Sequence, residues 1–199
     1  LKDHQHLGRE LDLFSFHDVA PGAVFWHAKG FVIYKALIEY LKSSLLKQGY
    51  EEISTPVLVK SSLFKKSGHW DFYSENMFNF EHEKEMYSLK PMNCPEAALI
   101  FSSTKRSYKE LPLRMSEFGI LHRNELSGVL GGAFRVRQFI IDDAHHFITP
   151  DQIQKEIHDL LIWSVKFYND LGFNPEFFLA TRPGKAMGDI KLWDEAEKN

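Results

Sequence analysis

Residues 118–147, FGILHRNELSGVLGGAFRVRQFIIDDAHHF, leave the backbone few choices. Two extended runs, 118–125 and 133–147, flank a loop holding Ser127, Gly128, Gly131 and Gly132. Glycines where a chain must reverse, next to a run rich in Phe, Val and Ile, predict a β-hairpin. Side chains alternate faces along a strand, so odd positions share one side. That side carries Arg123 and Glu125 on the outgoing run, then Arg135, Arg137, Phe139, Ile141, Asp143 and His145 on the returning one. Guanidiniums, an aromatic plate, a carboxylate and an imidazole make a poor hydrophobic core. They suit a nucleotide site, because the guanidinium fork matches phosphate and a phenyl face stacks a base. Asp with His adds groups able to hold a metal or an amine. A solvated amphipathic hairpin without chemistry accounts for the same pattern, so the hairpin alone does not decide.

The rest of the composition narrows the setting. A chain of 199 residues suits one domain with a sizeable core. Hydrophobic residues at 44% and charged residues at 26% are those of an ordinary globular protein. A net charge of −3 gives no general basic field, so any nucleic-acid contact must come from local patches. A single cysteine excludes an internal disulfide, which fits a reducing compartment: the cytoplasm is expected, with mitochondria left open. No apolar run approaches the length of a membrane span, so no membrane partner is expected. The start, LKDHQHLGRELDLF, lacks a secretion signal, and the missing Met and abrupt charged end read as a piece of a longer protein.

Along the chain, residues 3–11 read as a short helix with Leu7 and Leu11 on one face, 13–16 as a brief strand, and 20–23 as a turn. Residues 29–48 predict a long amphipathic helix whose stripe is Tyr34, Leu37, Ile38, Leu41 and Leu45, stopped by Gly49. A strand over 50–54 and a short helix over 61–67 capped by Ser61 follow. Residues 77–80 and 86–89 are expected to pair across a charged turn. A helix over 152–171 is predicted to bury Ile153, Ile157, Leu160, Leu161 and Val165, with Gly172 ending it. A strand over 177–180 and a polar surface helix over 191–198 complete the reading.

A second informative stretch is Lys90-Pro91-Met92-Asn93-Cys94-Pro95. Pro95 suits the first position of a helix, which leaves Cys94 at the cap, where the dipole and a nearby Lys favour thiolate. A lone Cys is more often buried packing, and a lone loop histidine such as His69 is more often without function.

Phe-Gly-x-x-His-Arg-Asn-Glu, Arg-Val-Arg-x-Phe and Asp-Asp-Ala-His together resemble motif 2 of the class II aminoacyl-tRNA synthetases, and within them the threonyl enzymes. The likeness extends from about residue 3 to 197: the helix–strand–proline run at 29–56 is similar to motif 1, and Ser67-Gly68-His69-Trp70 matches a threonyl-family stretch. The resemblance implies an α+β fold, a largely antiparallel sheet flanked by helices, with residues 1–199 forming part of a catalytic domain that stops before motif 3 and the anticodon-binding domain. It implies threonine–tRNA ligation in protein synthesis: ATP activates threonine, and the acyl group passes to tRNA(Thr), in a protein that dimerises through motif 1. It assigns Arg123 to the α-phosphate and the threonine carboxylate, Glu125 and Arg135 to ATP, Phe139 to the adenine, and Met92 and Asp143 to threonine. His69 falls near the terminal ribose of the tRNA. Mg²⁺ accompanies ATP, and Zn²⁺ is held by Cys94 and His145, with a third ligand further along in the family.

Two stretches depart from the family. Ile141 stands where Gln is usual, and Glu96-Ala97 where Gly-His is usual. With motif 3 outside the chain, this piece alone is expected to be inactive. The departures also leave a second reading: a synthetase-like paralogue that has lost aminoacylation and serves as an RNA- or protein-binding module. A prolyl-type enzyme fits less well, because Cys94 and Asp143 to His145 are threonyl features.

Overall fold

A computed structural model describes residues 3–184 and 188–198. They form two compact units: residues through Arg106 together with Leu113–His146, and Ser107–Pro112 together with Phe147 onward.

In the first unit, α1 (His4–Glu10) begins because Asp3 accepts the His6 N–H at 2.7 Å. Its buried residue is Gly8, pressed on the ring of Phe14; Leu7 and Leu11 are exposed, so the expected leucine face does not form the contact. β1 (Phe14–Ser15) and β2 (Phe25–Trp26) pair antiparallel. A polar chain braces this ribbon. His27 donates through Nδ1 to Asp12 Oδ1 (2.6 Å), and the Ser15 hydroxyl meets His27 Nε2 (2.8 Å) and His17 Nε2 (2.9 Å). α2 (Ala28–Lys47) follows, and Gly49 ends it with φ at +78°. Only part of its predicted stripe is buried: Leu41 and Leu45 lie in the core, whereas Leu37 stays 41% exposed.

β3 (Glu51–Glu52), β4 (Leu58–Lys60), α3 (Ser62–Lys66), α4 (Trp70–Tyr73), β5 (Asn79–His82), β6 (Glu85–Leu89) and α5 (Cys94–Ser102) come next, then β7 (Leu113–His122) and β8 (Gln138–Phe147). β5 and β6 turn over Glu83 and Lys84, both at positive φ, and β4 adds to β6; all these pairs are antiparallel. The central sheet is β3-β7-β8, with β3 parallel to β7. The architecture is α+β as expected, with the strands of the described residues split among three small sheets. Ser61 does not cap α3 through its side chain; its hydroxyl meets Ser88 at 2.6 Å inside the core.

In the second unit, α6 (Ile153–Asp170) and α7 (Ile190–Lys198) match the predicted helices, and Gly172 follows α6 at φ +82°. The stripe expected to be buried is not: Ile157, Leu160, Leu161 and Val165 are exposed, and the buried residue on α6 is Glu156. Residues 177–180 are coil rather than strand, with Phe178 86% exposed. Their composition favours strand, but a strand also needs a ladder partner, and among the described residues none runs beside them. Among the described residues, no helix is long and apolar enough to cross a membrane.

Candidate active site

The site is framed by a buried polar cluster that the sequence did not reveal. Lys90 has no exposed surface; its ammonium donates to Glu117 Oε1 (2.9 Å), Thr55 Oγ1 (2.7 Å) and the Thr55 carbonyl (3.3 Å). Glu117 in turn accepts from Thr55 N (2.8 Å) and Oγ1 (2.9 Å). With all three Lys90 protons used, the pair is satisfied, the condition under which a buried charge is tolerated. The same turn is stitched to the end of β7. The Lys90 carbonyl accepts from His122 N (3.0 Å), and Arg123 Nε reaches the Pro91 carbonyl (3.4 Å). The start of α5 and the beginning of the long loop are thereby fixed against each other. Lys90 is thus not available to Cys94, contrary to expectation.

β7 and β8 form the expected hairpin, with Phe139, Asp143 and His145 on β8, but the ladder stops short of Arg123, Glu125, Arg135 and Arg137. Residues 123–137 form a long connection containing a 3-10 turn over Ser127–Val129 and an isolated bridge between Gly131 and Arg135. Strict alternation therefore fails there, because it depends on an unbroken ladder. Arg137 is the casualty. Its guanidinium turns to the Glu125 carbonyl (2.9 Å), the Ser127 hydroxyl (3.1 Å) and the Pro21 carbonyl (3.5 Å), while its N–H donates to the Gly22 carbonyl at 2.6 Å. It is a clamp on the 17–24 loop. Gly22 has φ at +79°, and a Cβ there would lie 3.1 Å from the Arg137 backbone nitrogen, which accounts for glycine at that turn.

The other residues converge. Arg123, Glu125, Arg135 and Phe139 line one hollow of about 490 Å³ together with Phe134 and Val136. Arg123 lies over the Phe139 ring, 5.1 Å from its centroid. Arg135 grips Glu125 Oε2 through Nε (3.1 Å) and one terminal nitrogen (2.9 Å). Phe139 also borders a second hollow of about 350 Å³, walled by Val24, Trp26, Phe31 and Tyr34. The arrangement presents cations, an aromatic face and a carboxylate to one concavity, as a nucleoside polyphosphate requires.

Beside it sits the start of α5. The N-cap is Asn93, and Cys94 is the first helical residue, so the helix starts one position earlier than expected. Asn93 is fully buried and donates to Asp143 Oδ2 at 3.1 Å, so it orients that carboxylate; it was not foreseen, although its amide presses on Gly119, where a Cβ would overlap Oδ1. Cys94 keeps an exposed face, yet the protein packed around its sulfur, and then the charge of Asp143, push the thiol up. The helix start does not make it a ready thiolate, because burial and a neighbouring anion outweigh the backbone N–H. Asp142 is raised as well, by burial and by Asp143. His145 lies two residues beyond Asp143 on β8. His146 points elsewhere, to the Tyr50 hydroxyl at 2.8 Å, as alternation predicts. Among the described residues no three His, Cys, Asp or Glu side chains converge to hold a metal ion. Cys94 and His145 are at most two donors, fewer than a zinc site needs, so no step is derived through zinc.

His69 stands on the turn before α4, where Nδ1 meets the Ser67 hydroxyl at 2.8 Å, and is not among the residues lining either hollow. Met92 is half-buried on the turn between Pro91 and Asn93. Glu96 is 3% exposed, and neither of its carboxylate oxygens has a hydrogen-bond partner.

The combination of an antiparallel ribbon carrying arginines and a phenyl ring, next to a helix start on a mixed sheet, is that of a class II aminoacyl-tRNA synthetase core. The chain belongs to the tRNA synthetase class II core domain (G, H, P, S and T) family, which matches residues 78–197. It is 50% identical over 197 residues to the cytoplasmic threonine–tRNA ligase 1 of Homo sapiens, covering 99% of this chain and 27% of that protein. It superposes with a TM-score of 0.94 on a solved RNA binding domain of threonyl-tRNA synthetase from Cryptosporidium parvum, at 42% identity, covering all of this chain and 50% of that one. A putative threonyl-tRNA synthetase from Aeropyrum pernix gives 0.83 at 28% identity, covering 99% of this chain and 48% of that one. The chain thus spans about a quarter of the length of the curated relatives it matches.

Proposed function

We propose that this chain supplies the ATP and amino-acid half of a threonine–tRNA ligase active site. The observation carrying this reading is the single hollow shared by Arg123, Glu125, Arg135 and Phe139, with Asp143 held beside it by Asn93. In the reaction, a threonine carboxylate oxygen attacks the ATP α-phosphorus, the bond to the bridging oxygen breaks, and pyrophosphate leaves with the electron pair. Threonyl-adenylate then gives its acyl group to the terminal ribose of tRNA(Thr). Such transfer depends on positioning and charge neutralisation. Arg123 faces both reacting groups and offsets the charge at the α-phosphate. In this structure it covers Phe139, so stacking adenine on that face requires the guanidinium to swing toward the phosphate. Arg135, aligned by Glu125, contacts the polyphosphate, whose charge Mg²⁺ shares. Asp143 accepts from the threonine hydroxyl, which rejects valine because the carboxylate oxygen not held by Asn93 would be left without a donor. Met92 packs on the amino acid, and His69 serves the tRNA terminus. Zinc bound through Cys94 and His145 rests on family likeness alone.

α2 exposes Val32 and Ile33, and this helix is assigned to a homodimer contact on family likeness. A cytoplasmic location follows the relatives named for that compartment. ATP–pyrophosphate exchange on the full-length protein, with threonine against serine and valine, tests the reading. A threonine-dependent signal supports it. A flat result with all three favours the paralogue that binds RNA or protein without aminoacylation, for which Ile141 and the buried Glu96 speak. Ile141→Gln in the same assay shows whether that position limits threonine binding.

A further inference from the structure

We propose that His4 on α1 is a positioning residue that holds the 131–135 loop in the shape the nucleotide hollow needs. This deepens the reading of that hollow as an ATP site and rests on it. The loop contributes Ala133, Phe134 and Arg135 to the wall. It is closed on itself by Phe134 N to Gly131 O (3.0 Å) and Gly131 N to Arg135 O (3.1 Å). It meets α1 at His4 in two ways. The Ala133 N–H donates to His4 Nε2 at 3.0 Å, and the imidazole meets the Phe134 ring edge-on, with centroids 4.4 Å apart and planes at 68°. Gly132 makes the approach possible: its φ is +56°, and a Cβ would strike His4 and Gln5.

The chemistry fixes the imidazole. A backbone N–H can only donate, so Nε2 must present its lone pair and the ring proton sits on Nδ1. α1 is itself anchored, by Asp3 at its cap and by Gly8 against Phe14, whose ring lies 6.4 Å from His4. Phe134 is 86% exposed, so the imidazole edge is a large share of its packing. A residue far from the hairpin in sequence thus sets where Arg135 begins, and through Arg135 where Glu125 points.

Three variants separate the two contacts. His4→Gln retains an acceptor for Ala133, His4→Phe retains an aromatic ring without an acceptor, and His4→Ala retains neither. In pyrophosphate exchange by the full-length protein, KM for ATP is expected to rise on the order of tenfold in His4→Phe and His4→Ala, the scale of one lost hydrogen bond. The kcat and the KM for threonine should stay within about twofold, and His4→Gln should restore most of the ATP KM. Equal behaviour of His4→Gln and His4→Phe, or parallel losses in every parameter, overturns the proposal. Amide hydrogen exchange of residues 131–135 is read on the same proteins. If wild type shows no exchange activity with any amino acid, the ligase reading fails. Faster loop exchange in His4→Phe than in His4→Gln then still supports the latch, and equal rates refute it.

Discussion

Glu96 is the second residue after Cys94 on α5, and its carboxylate lies 3% exposed with both oxygens unpartnered. Burial pushes its pKa from 4.5 to about 7, outweighing the pull of its own backbone N–H and of Lys90; Glu117 adds to the rise. Lys90 cannot rescue it, being committed to Glu117 and Thr55. The native state therefore holds a proton that the unfolded chain has already lost between pH 4.5 and 7. Stability contributed by the neutral form is fully present below pH 4.5 and is lost as pH rises through about 7. A displacement of that size costs about 3 kcal/mol once Glu96 is ionised. Glu96→Gln keeps the shape and removes the charge, leaving polar atoms no worse placed than those of the protonated acid. Urea unfolding with a chelator present, which keeps metal off Cys94, should find the variant and wild type equal near pH 4.5. At pH 8.5 the variant should be more stable by about 2–3 kcal/mol. The difference between the two proteins cancels every other titrating group, so its slope isolates Glu96. A difference that stays flat from pH 5 to 8.5 would refute the assignment of a buried, unpaired carboxylate.

Lys90→Met strands the Glu117 carboxylate in the core and should cost about 3–5 kcal/mol in denaturant unfolding, whereas breaking the solvent-exposed pair of Lys60 with Glu85 should have far less effect. Gly119→Ala forces the Asn93 amide aside and should destabilise by about 1–3 kcal/mol; Asn93→Ala, which removes the obstruction, should make Gly119→Ala nearly neutral in a double-mutant cycle. The raised Cys94 thiol should react with iodoacetamide more slowly than free cysteine at pH 8, and Asp143→Asn should speed it. Faster labelling than free cysteine would show that the helix start dominates after all.

The sequence by itself determined the elements whose signals are local. Gly49 and Gly172 stop α2 and α6 because a left-handed residue after the last turn needs no distant partner. The β7–β8 ribbon, and the side of β8 that faces Phe139 and Asp143 rather than His146, followed from period-two alternation wherever the ladder runs unbroken. Only the tertiary structure decided the rest. Arg123 and Arg137 look equivalent in the sequence, yet the coil between the strands turns one toward the hollow and the other onto Pro21 and Gly22. Asn93, Lys90 and His4 carry no local mark of their roles, since their partners, Asp143, Glu117 and Ala133, lie at 27 to 129 residues' remove. The stripe on α6 shows the converse: periodicity states which face is apolar, but burial depends on what packs there, and the chain leaves that face exposed while burying Glu156.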